Sequence, residues 1–333
     1  MTLSDIIYIE EVIILKLEYC AKINDDKKDL KYILKKRLYI SNVELIKLKN
    51  TKSIKVNDKI EHVDKTINCN DKITVDFDNM INNYKALSFT DKFSIFKYDF
   101  NILYEDEYLL ILNKPYNMII HPVSNDYEHT LSNAVMYYLI SKDQKYSKEN
   151  IHIVTRLDKD TSGICIFAKN AYTQQLFISK KNQVNLNKEY IAIVNGIIKE
   201  DHQIIEKNIK RKADSIINRC VSDDGDYAKT EYFVIERNYA KNYTIVKVKI
   251  YTGRTHQIRV HMSYIKHVLL GDDLYADESN LNDINKYIQR QALHCYHVSF
   301  FHPITEKFID IFANIPDDMN KLIAKKEEIR KYF

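Results

Sequence analysis

Five glycines in a chain of 333 residues leave few places where the backbone can enter the left-handed region without steric cost. An average chain carries about 7% glycine. The five present here, Gly163, Gly196, Gly225, Gly253 and Gly271, are therefore expected where a positive φ or a close backbone approach is required. Gly163 closes the stretch Arg156-Leu157-Asp158-Lys159-Asp160-Thr161-Ser162-Gly163, set between the apolar runs Ile151 to Val154 and Ile164 to Ala168. Two β-prone runs joined by a polar, glycine-ended loop predict strand, loop, strand, with the loop's side chains at one rim of a sheet. Loops held this way often carry chemistry. Asp158 has Arg156 two residues before it and Ser162 and Gly163 behind it, so its carboxylate is expected to be oriented by neighbouring donors and held by that guanidinium. The competing reading is an Asx turn in which the aspartate bonds local backbone.

Several function classes are disfavoured by what the chain lacks. No Gly-x-x-x-x-Gly-Lys-Ser/Thr or Gly-x-Gly-x-x-Gly run occurs among the scattered glycines, which argues against a nucleotide-binding enzyme. No apolar run approaches the roughly 20 residues of a membrane span, so no membrane contact is expected. The N-terminus carries Asp5, Glu10 and Glu11 and no early positive cluster, unlike a secretory signal. Five cysteines without a Cys-x-x-Cys spacing fit neither a disulfide framework nor a zinc ribbon, and suit a cytoplasmic location. Histidines and a cysteine crowd between Leu293 and His302, but strand alternation would place only Cys295 and His297 on one face, so no metal is expected. The net charge of +4 means that nucleic-acid contacts must come from local basic patches.

The length suffices for two domains. In the first, residues 6–9 and 12–17 read as strands, and Asp29 to Leu48 as two short helices broken at Ser41-Asn42, with Ser41 capping the second. The first helix is basic, with Lys27, Lys28, Lys31, Lys35, Lys36 and Arg37 against Asp29. Strands follow over residues 53–59 and 71–77, then a motif-free stretch, giving boundaries of 1–80, a linker 81–98, and a second domain 99–333. That domain opens with a strand, an acidic turn and a second strand ending at Pro115, followed by helices from Thr130 to Leu139 and from Ala171 to Lys180. Lys188 to Gly196 alternates as a strand, with Lys188, Tyr190, Ala192 and Val194 on one face and Ile191 and Ile193 on the other. A hairpin of residues 231–236 and 243–251 leads into Gly253 to Thr255, read as a tight turn into a helix whose N-terminal N–H groups hold a phosphate, with Arg259 one turn further on. Residues 316–331 read as a polar helix.

The blocks also occur in a familiar order. Arg156 to Gly163 resembles the Arg-Leu-Asp-x-x-Thr-Ser-Gly signature of the RluA-type RNA pseudouridine synthases. Lys188 to Gly196 is similar to their Lys-x-Tyr-x-Ala-x-Val-x-Gly, and Gly253 to Met262 to their Gly-Arg-x-His-Gln-x-Arg-x-His-Met block. Lys114-Pro115 with His121-Pro122, Gly271-Asp272-x-x-Tyr275, Leu293-His294 and His302-Pro303 fit the same series. The departures are Thr155 for a frequent histidine, Lys159 for arginine, Lys266 and Val268 for a Gly-x-Pro pair, and Cys295 for alanine.

The resemblance implies an α+β fold, with a mixed, mostly antiparallel central sheet, flanking helices, and an S4-like α/β domain at the N-terminus. It implies cleavage of the N1–C1′ bond of a uridine in RNA, rotation of the uracil and rejoining through C5, without metal or organic cofactor. Asp158 would be the catalytic residue, Arg259 its partner, and Tyr190 the ring that stacks on the uracil. Arg156, Lys188, Arg254, His256, Gln257, His121, Lys31, Lys35 and Arg37 would contact RNA or the target base. The expected enzyme is a cytoplasmic monomer acting on large-subunit rRNA. A tRNA-directed synthase, or a non-catalytic RNA-binding or ribosome-assembly protein on the same scaffold, is the alternative.

Overall fold

Two sheets of different size organise this computed structural model, which describes residues 16–77, 79, 96–121, 129–143, 151–277 and 281–324. The strand expected over residues 6–9, most of the linker, Pro122 and the chain beyond 324 lie outside the described residues.

The smaller sheet has the order β1-β4-β2-β3, and is built from β1 (Lys16–Cys20), β2 (Ile54–Val56), β3 (Lys59–Ile60) and β4 (Lys72–Asp76). Between β1 and β2 lie α1 (Leu30–Lys36) and α2 (Asn42–Asn50). Ser41 caps α2 as its sequence suggests: its Oγ accepts from Glu44 N at 3.1 Å, and the Glu44 carboxylate accepts from Ser41 N at 2.8 Å. Leu45 and Leu48 are buried, whereas Val43 and Ile46 face outward, so the apolar stripe is narrower than the sequence pattern. Arg37 departs from its expected role. Its Nε donates to Asp25 Oδ1 at 2.7 Å, and Asp25 is fully buried, so this arginine is partly spent on an internal ion pair.

The larger sheet is mainly antiparallel, in the order β10-β13-β14-β9-β15-β8-β6-β5. Its strands are β5 (Asn101–Glu105), β6 (Leu109–Lys114), β7 (His152–Ile153), β8 (Ser162–Ala168), β9 (Asn187–Asn195), β10 (His202–Glu206), β13 (Lys229–Asn238), β14 (Tyr243–Ile250), β15 (Leu293–Phe301) and β16 (Phe308–Phe312). A small ribbon, β11 (Ile209–Arg211) with β12 (Arg219–Val221), stands apart, and neither it nor β10 carried a signal in the sequence pattern. The helices that flank it are α3 (Leu131–Lys142), α4 (Ala171–Ser179), α5 (Lys181–Val184) and α6 (Gln257–Tyr264). The expected acidic turn between β5 and β6 is closed by Asp106, which accepts from the N–H groups of Tyr108 and Leu109 at 2.8 and 2.7 Å.

The period-two pattern of β9 sorts two cores. Tyr190, Ala192 and Val194 join one, and Ile191 and Ile193 join the other with Tyr243 and Tyr296. The first core continues into the small sheet, where Phe77 meets Tyr172 with ring centroids 5.1 Å apart.

Two sequence expectations are corrected here. β15 pairs with β9 through a bulge that sets Cys295 opposite Tyr190 and His297 opposite Glu189. Adjacent residues of β9 face opposite ways, so Cys295 and His297 lie on opposite faces, not on one. Of the polar helix expected over 316–331, the described residues to 324 hold one helical turn, Asp317–Asn320, and bury Met319, Leu322 and Ile323 against the second core, so this part is not simply polar.

Glycine is required most stringently at Gly163 and Gly271. Gly163 has φ +115°, and a Cβ there would stand 2.2 Å from Cys295 O; Gly271 has φ +71°, and a Cβ would stand 2.0 Å from Arg290 O. Gly253, by contrast, has neither a left-handed φ nor a close backbone neighbour. The chain also spends non-glycine residues on left-handed turns, among them Lys266 at φ +68° in the segment that departs from the family pattern.

The contact at Gly163 belongs to a parallel pairing of β8 with β15, His294 opposite Ser162 and Cys295 opposite Gly163. Ser162 Oγ and His294 Nδ1 lie 2.9 Å apart in the buried junction. Burial lowers the His294 pKa to about 4, whereas an unfolded histidine titrates near 6.5. A folded pKa below the unfolded one means that unfolding takes up a proton, so stability is full above about pH 6.5 and is lost as pH falls towards 4. Urea unfolding between pH 7 and pH 4 should show this loss, up to roughly 3 kcal/mol from the single site. His294→Asn should flatten the slope; an unchanged slope would place the acid sensitivity elsewhere.

Candidate active site

The loop after β7 leaves the sheet at Val154 and returns at Ser162, and its shape is set by cations placed beneath it. Lys114, fully buried at the end of β6, donates from Nζ to the carbonyls of Pro115, Met118 and Lys159 at 2.8, 2.8 and 2.9 Å. Burial lowers its pKa to about 8, and the three carbonyls supply the partners that a buried ammonium needs. Arg290 reaches from the opposite side, with NH1 donating to Asp160 O at 3.1 Å and a two-point ion pair to Asp318. Gln291 Nε2 donates to Thr161 Oγ1, and Thr155 Oγ1 accepts from Ile166 N at 2.9 Å. Residues 155 to 161 are thus held by backbone acceptors and short polar side chains, and the Asp158 side chain remains half exposed at the top.

Asp158 meets a guanidinium, but not the one nearest in sequence. Arg156 is exposed at the rim, and Ser162 turns its hydroxyl to His294. The partner is Arg259 on α6, whose NH1 donates to Asp158 Oδ2 at 3.1 Å. The same guanidinium donates from Nε and NH2 to the two oxygens of Asp272, both at 2.7 Å. Asp272 is 1% exposed and Arg259 6%, so the fork lies inside the protein with only the edge facing Asp158 towards the cleft. Burial opposes the charge of Arg259, and the hydrogen bonds and charges of Asp272 and Asp158 outweigh it and raise its pKa. Tyr275 backs the assembly: the Arg259 guanidinium stands 5.0 Å from its ring centre, and its hydroxyl lies 2.7 Å from His256 Nδ1.

His256 Nε2 lies 3.8 Å from Asp158 Oδ2. Burial lowers the His256 pKa, with Asp158 opposing and Arg259 adding to the effect. His256 takes a left-handed φ of +57° at the start of α6, which begins at Gln257. Gln257 was expected to contact RNA, but it is buried and fully engaged. Its Oε1 accepts from Thr252 Oγ1 and Arg254 N at 2.7 and 3.0 Å, and its Nε2 donates to Lys229 O and Thr230 Oγ1. Gln257 thus ties the turn before α6 to β13, and Arg259, one turn into the helix, serves the two carboxylates.

The cleft above these groups encloses about 620 Å³. Tyr190 forms part of its floor at 5% exposure, and burial, then the adjacent Cys295, push its phenol pKa far up, so the ring is a neutral surface. Lys188 enters from the same strand, half-buried, its pKa lowered by burial. His121 and Arg156 stand exposed at the rim, as does Arg254, which donates to Tyr227 O at 3.0 Å. Lys31, Lys35 and Arg37 belong to the small sheet's helices and do not line this cleft; Lys35 donates to Asn42 Oδ1. Among the described residues, no three His, Cys, Asp or Glu side chains gather in a metal-binding group. Asp272, Tyr275, Lys114 and Arg290 carry no role that their sequence context reveals. The first three sat within recognised blocks, but nothing in their spacing told that Asp272 would grip Arg259.

The RNA pseudouridylate synthase family matches over residues 108–264. The chain is 38% identical over 224 residues to the uncharacterized RNA pseudouridine synthase YjbO of Bacillus subtilis (strain 168), spanning 67% of this chain and 75% of that protein. It is 38% identical over 231 residues to the ribosomal large subunit pseudouridine synthase D of Zymomonas mobilis, spanning 66% of this chain and 71% of that protein. Among solved structures, the fold is similar to human RNA pseudouridylate synthase domain containing 1, with a TM-score of 0.52 and 22% identity over 65% of this chain and 83% of the other. By its sequence relatives, and in agreement with its fold, the chain belongs to the RNA pseudouridylate synthase family and is an RNA pseudouridine synthase, an isomerase.

Proposed function

We propose that this enzyme isomerises uridine in large-subunit ribosomal RNA with Asp158 as its catalytic residue. The observation that carries the reading is the clamp at the cleft: the Asp158 carboxylate points into open volume while Arg259, itself gripped by buried Asp272, holds one of its oxygens. A carboxylate fixed by a rigid donor and left open on its other side suits attack on a uridine presented from the cleft. The target base has to leave its stack to reach this depth, and Tyr190 offers it a neutral aromatic face. Lys188 and the rim residues Arg156, Arg254 and His121 supply positive charge and donors for the flanking phosphates. His256, 3.8 Å from Asp158 and tied to Tyr275, lines the same cleft beside the carboxylate. The ribosomal target is supported by the names of the large-subunit relatives. Residues 16–77, two helices against a small sheet, are read as an S4-like module whose exposed Lys31 and Lys36 add phosphate contacts.

Asp158→Asn keeps the shape and removes the charge, so tritium release from rRNA labelled at uracil C5 should fall at least a thousandfold, about 4 kcal/mol of barrier. RNA affinity should stay within a few-fold. Turnover within about tenfold of the unmodified enzyme, only about 1.4 kcal/mol, would remove Asp158 from the chemistry.

Arg259→Lys retains the charge and loses the fork, so kcat should fall by tenfold or more. Asp272→Asn should lower kcat through the same clamp. The double variant Asp272→Asn/Arg259→Lys should be no slower than Arg259→Lys alone, because both changes break one unit. Additive losses in this cycle would show that Asp272 acts independently of Arg259.

A further inference from the structure

A second cleft, about 490 Å³ in volume, opens where the small sheet's helices meet the edge of the large domain. Lys180, at the junction of α4 and α5, lines it. This residue is 9% exposed, and its ammonium has no hydrogen-bond partner among the described residues; it stands 5.6 Å from the centre of the Tyr39 ring. Its stem is buried while its ammonium faces the open cleft, where it is available to an acceptor that enters. Arg37 lines the same cleft. Its Nε is held by Asp25, and its guanidinium stands 5.8 Å from the centre of the Tyr32 ring. Glu306 at the mouth supports the charge of Lys180 without bonding it. His302 is already engaged: its Nδ1 accepts from Ile304 N and Thr305 N, and its Nε2 lies 3.1 Å from Asp106.

Aromatic surface lies beside these cations. Phe301 lines the cleft at 44% exposure, and Phe308 beside it is 58% exposed, with ring centroids 5.3 Å apart. Cations that track a backbone, set next to exposed rings on which bases stack, are the elements of single-strand recognition. A free anion would use the cations and leave the rings idle.

We propose that this cleft binds a single-stranded segment of the RNA, with Lys180 and Arg37 on a phosphodiester and Phe301 under an adjoining base. The inference rests on the reading of the chain as an RNA-modifying enzyme and adds a second contact site, which shares no lining residue with the cleft at Asp158 and is built from both sheets' surroundings.

Fluorescence polarisation with labelled rU12 tests the site in the full chain, and reads binding without turnover, so its outcome is separate from the Asp158→Asn assay. Lys180→Met should weaken rU12 binding three- to tenfold and lower the salt dependence by about 0.7, the value for one single-strand phosphate contact. Its melting temperature should hold or rise, whereas a structural lysine would lower it on removal. Phe301→Ala should weaken binding by at least fivefold, the lower end for loss of one stacked base. Wild-type affinity and salt slope in both variants would overturn the proposal. So would the case in which inorganic phosphate raises the melting temperature of the wild-type chain but not of Lys180→Met while rU12 binding is unaffected, since the cleft would then take a free anion.

Discussion

One guanidinium shared by two carboxylates is the interaction on which the site depends. Arg259 spends two donors on Asp272 and one on Asp158. The buried half of this triad is what makes the exposed half precise. An arginine on a helix has several rotatable bonds, and a lone contact with a half-exposed aspartate would be worth little in water. Locked by Asp272 in a two-point fork, it becomes a fixed post. Such a triad gives little net stability, because its desolvation cost roughly offsets its Coulomb energy. What it gives is position.

The fixed post and the loop it serves are held against the same neighbour. The turn that presents Asp272 begins at Gly271, where any Cβ would run into the Arg290 backbone. The Arg290 side chain in turn holds the Asp160 carbonyl, two residues from Asp158. Lys114 grips the same loop from the other side through the Lys159 carbonyl. The two halves of the site are therefore referred to a common frame, and a shift in either would be felt across Arg290. This arrangement explains how a long polar loop can hold one side chain in a fixed position.

Much of this was legible in the residues. The alternation of β9 told which side of the sheet Tyr190 would occupy, and the Ser41 and Thr130 caps fell where their side chains suggested. Asp158 and Arg259 were marked by the blocks around them. What stayed hidden came from long-range geometry. Arg156 is the nearest guanidinium to Asp158 in the chain, yet Arg259, 101 residues away, makes the bond. Gln257 reads as a polar residue in an active-site block, and only the fold reveals that its amide ties the turn before α6 to β13. The bulge at Cys295 to His297 breaks a period-two pattern that looks regular in sequence. Arg37 reads as part of a basic helix until Asp25 is seen beneath it.

The parallel junction of β8 with β15 has a consequence for the order in which the protein comes into being. Ser162 and Gly163, which end the Asp158 loop, rest on His294 and Cys295, and the loop's pins at Arg290 and Gln291 lie just before them in the chain. Contacts across 130 residues form late, because the intervening chain has to be made and closed first. During synthesis the aspartate emerges from the ribosome long before the residues that position it. The nascent chain would thus carry Asp158 in an unorganised loop, and the pins that fix that loop would form only when most of the last strands have been released.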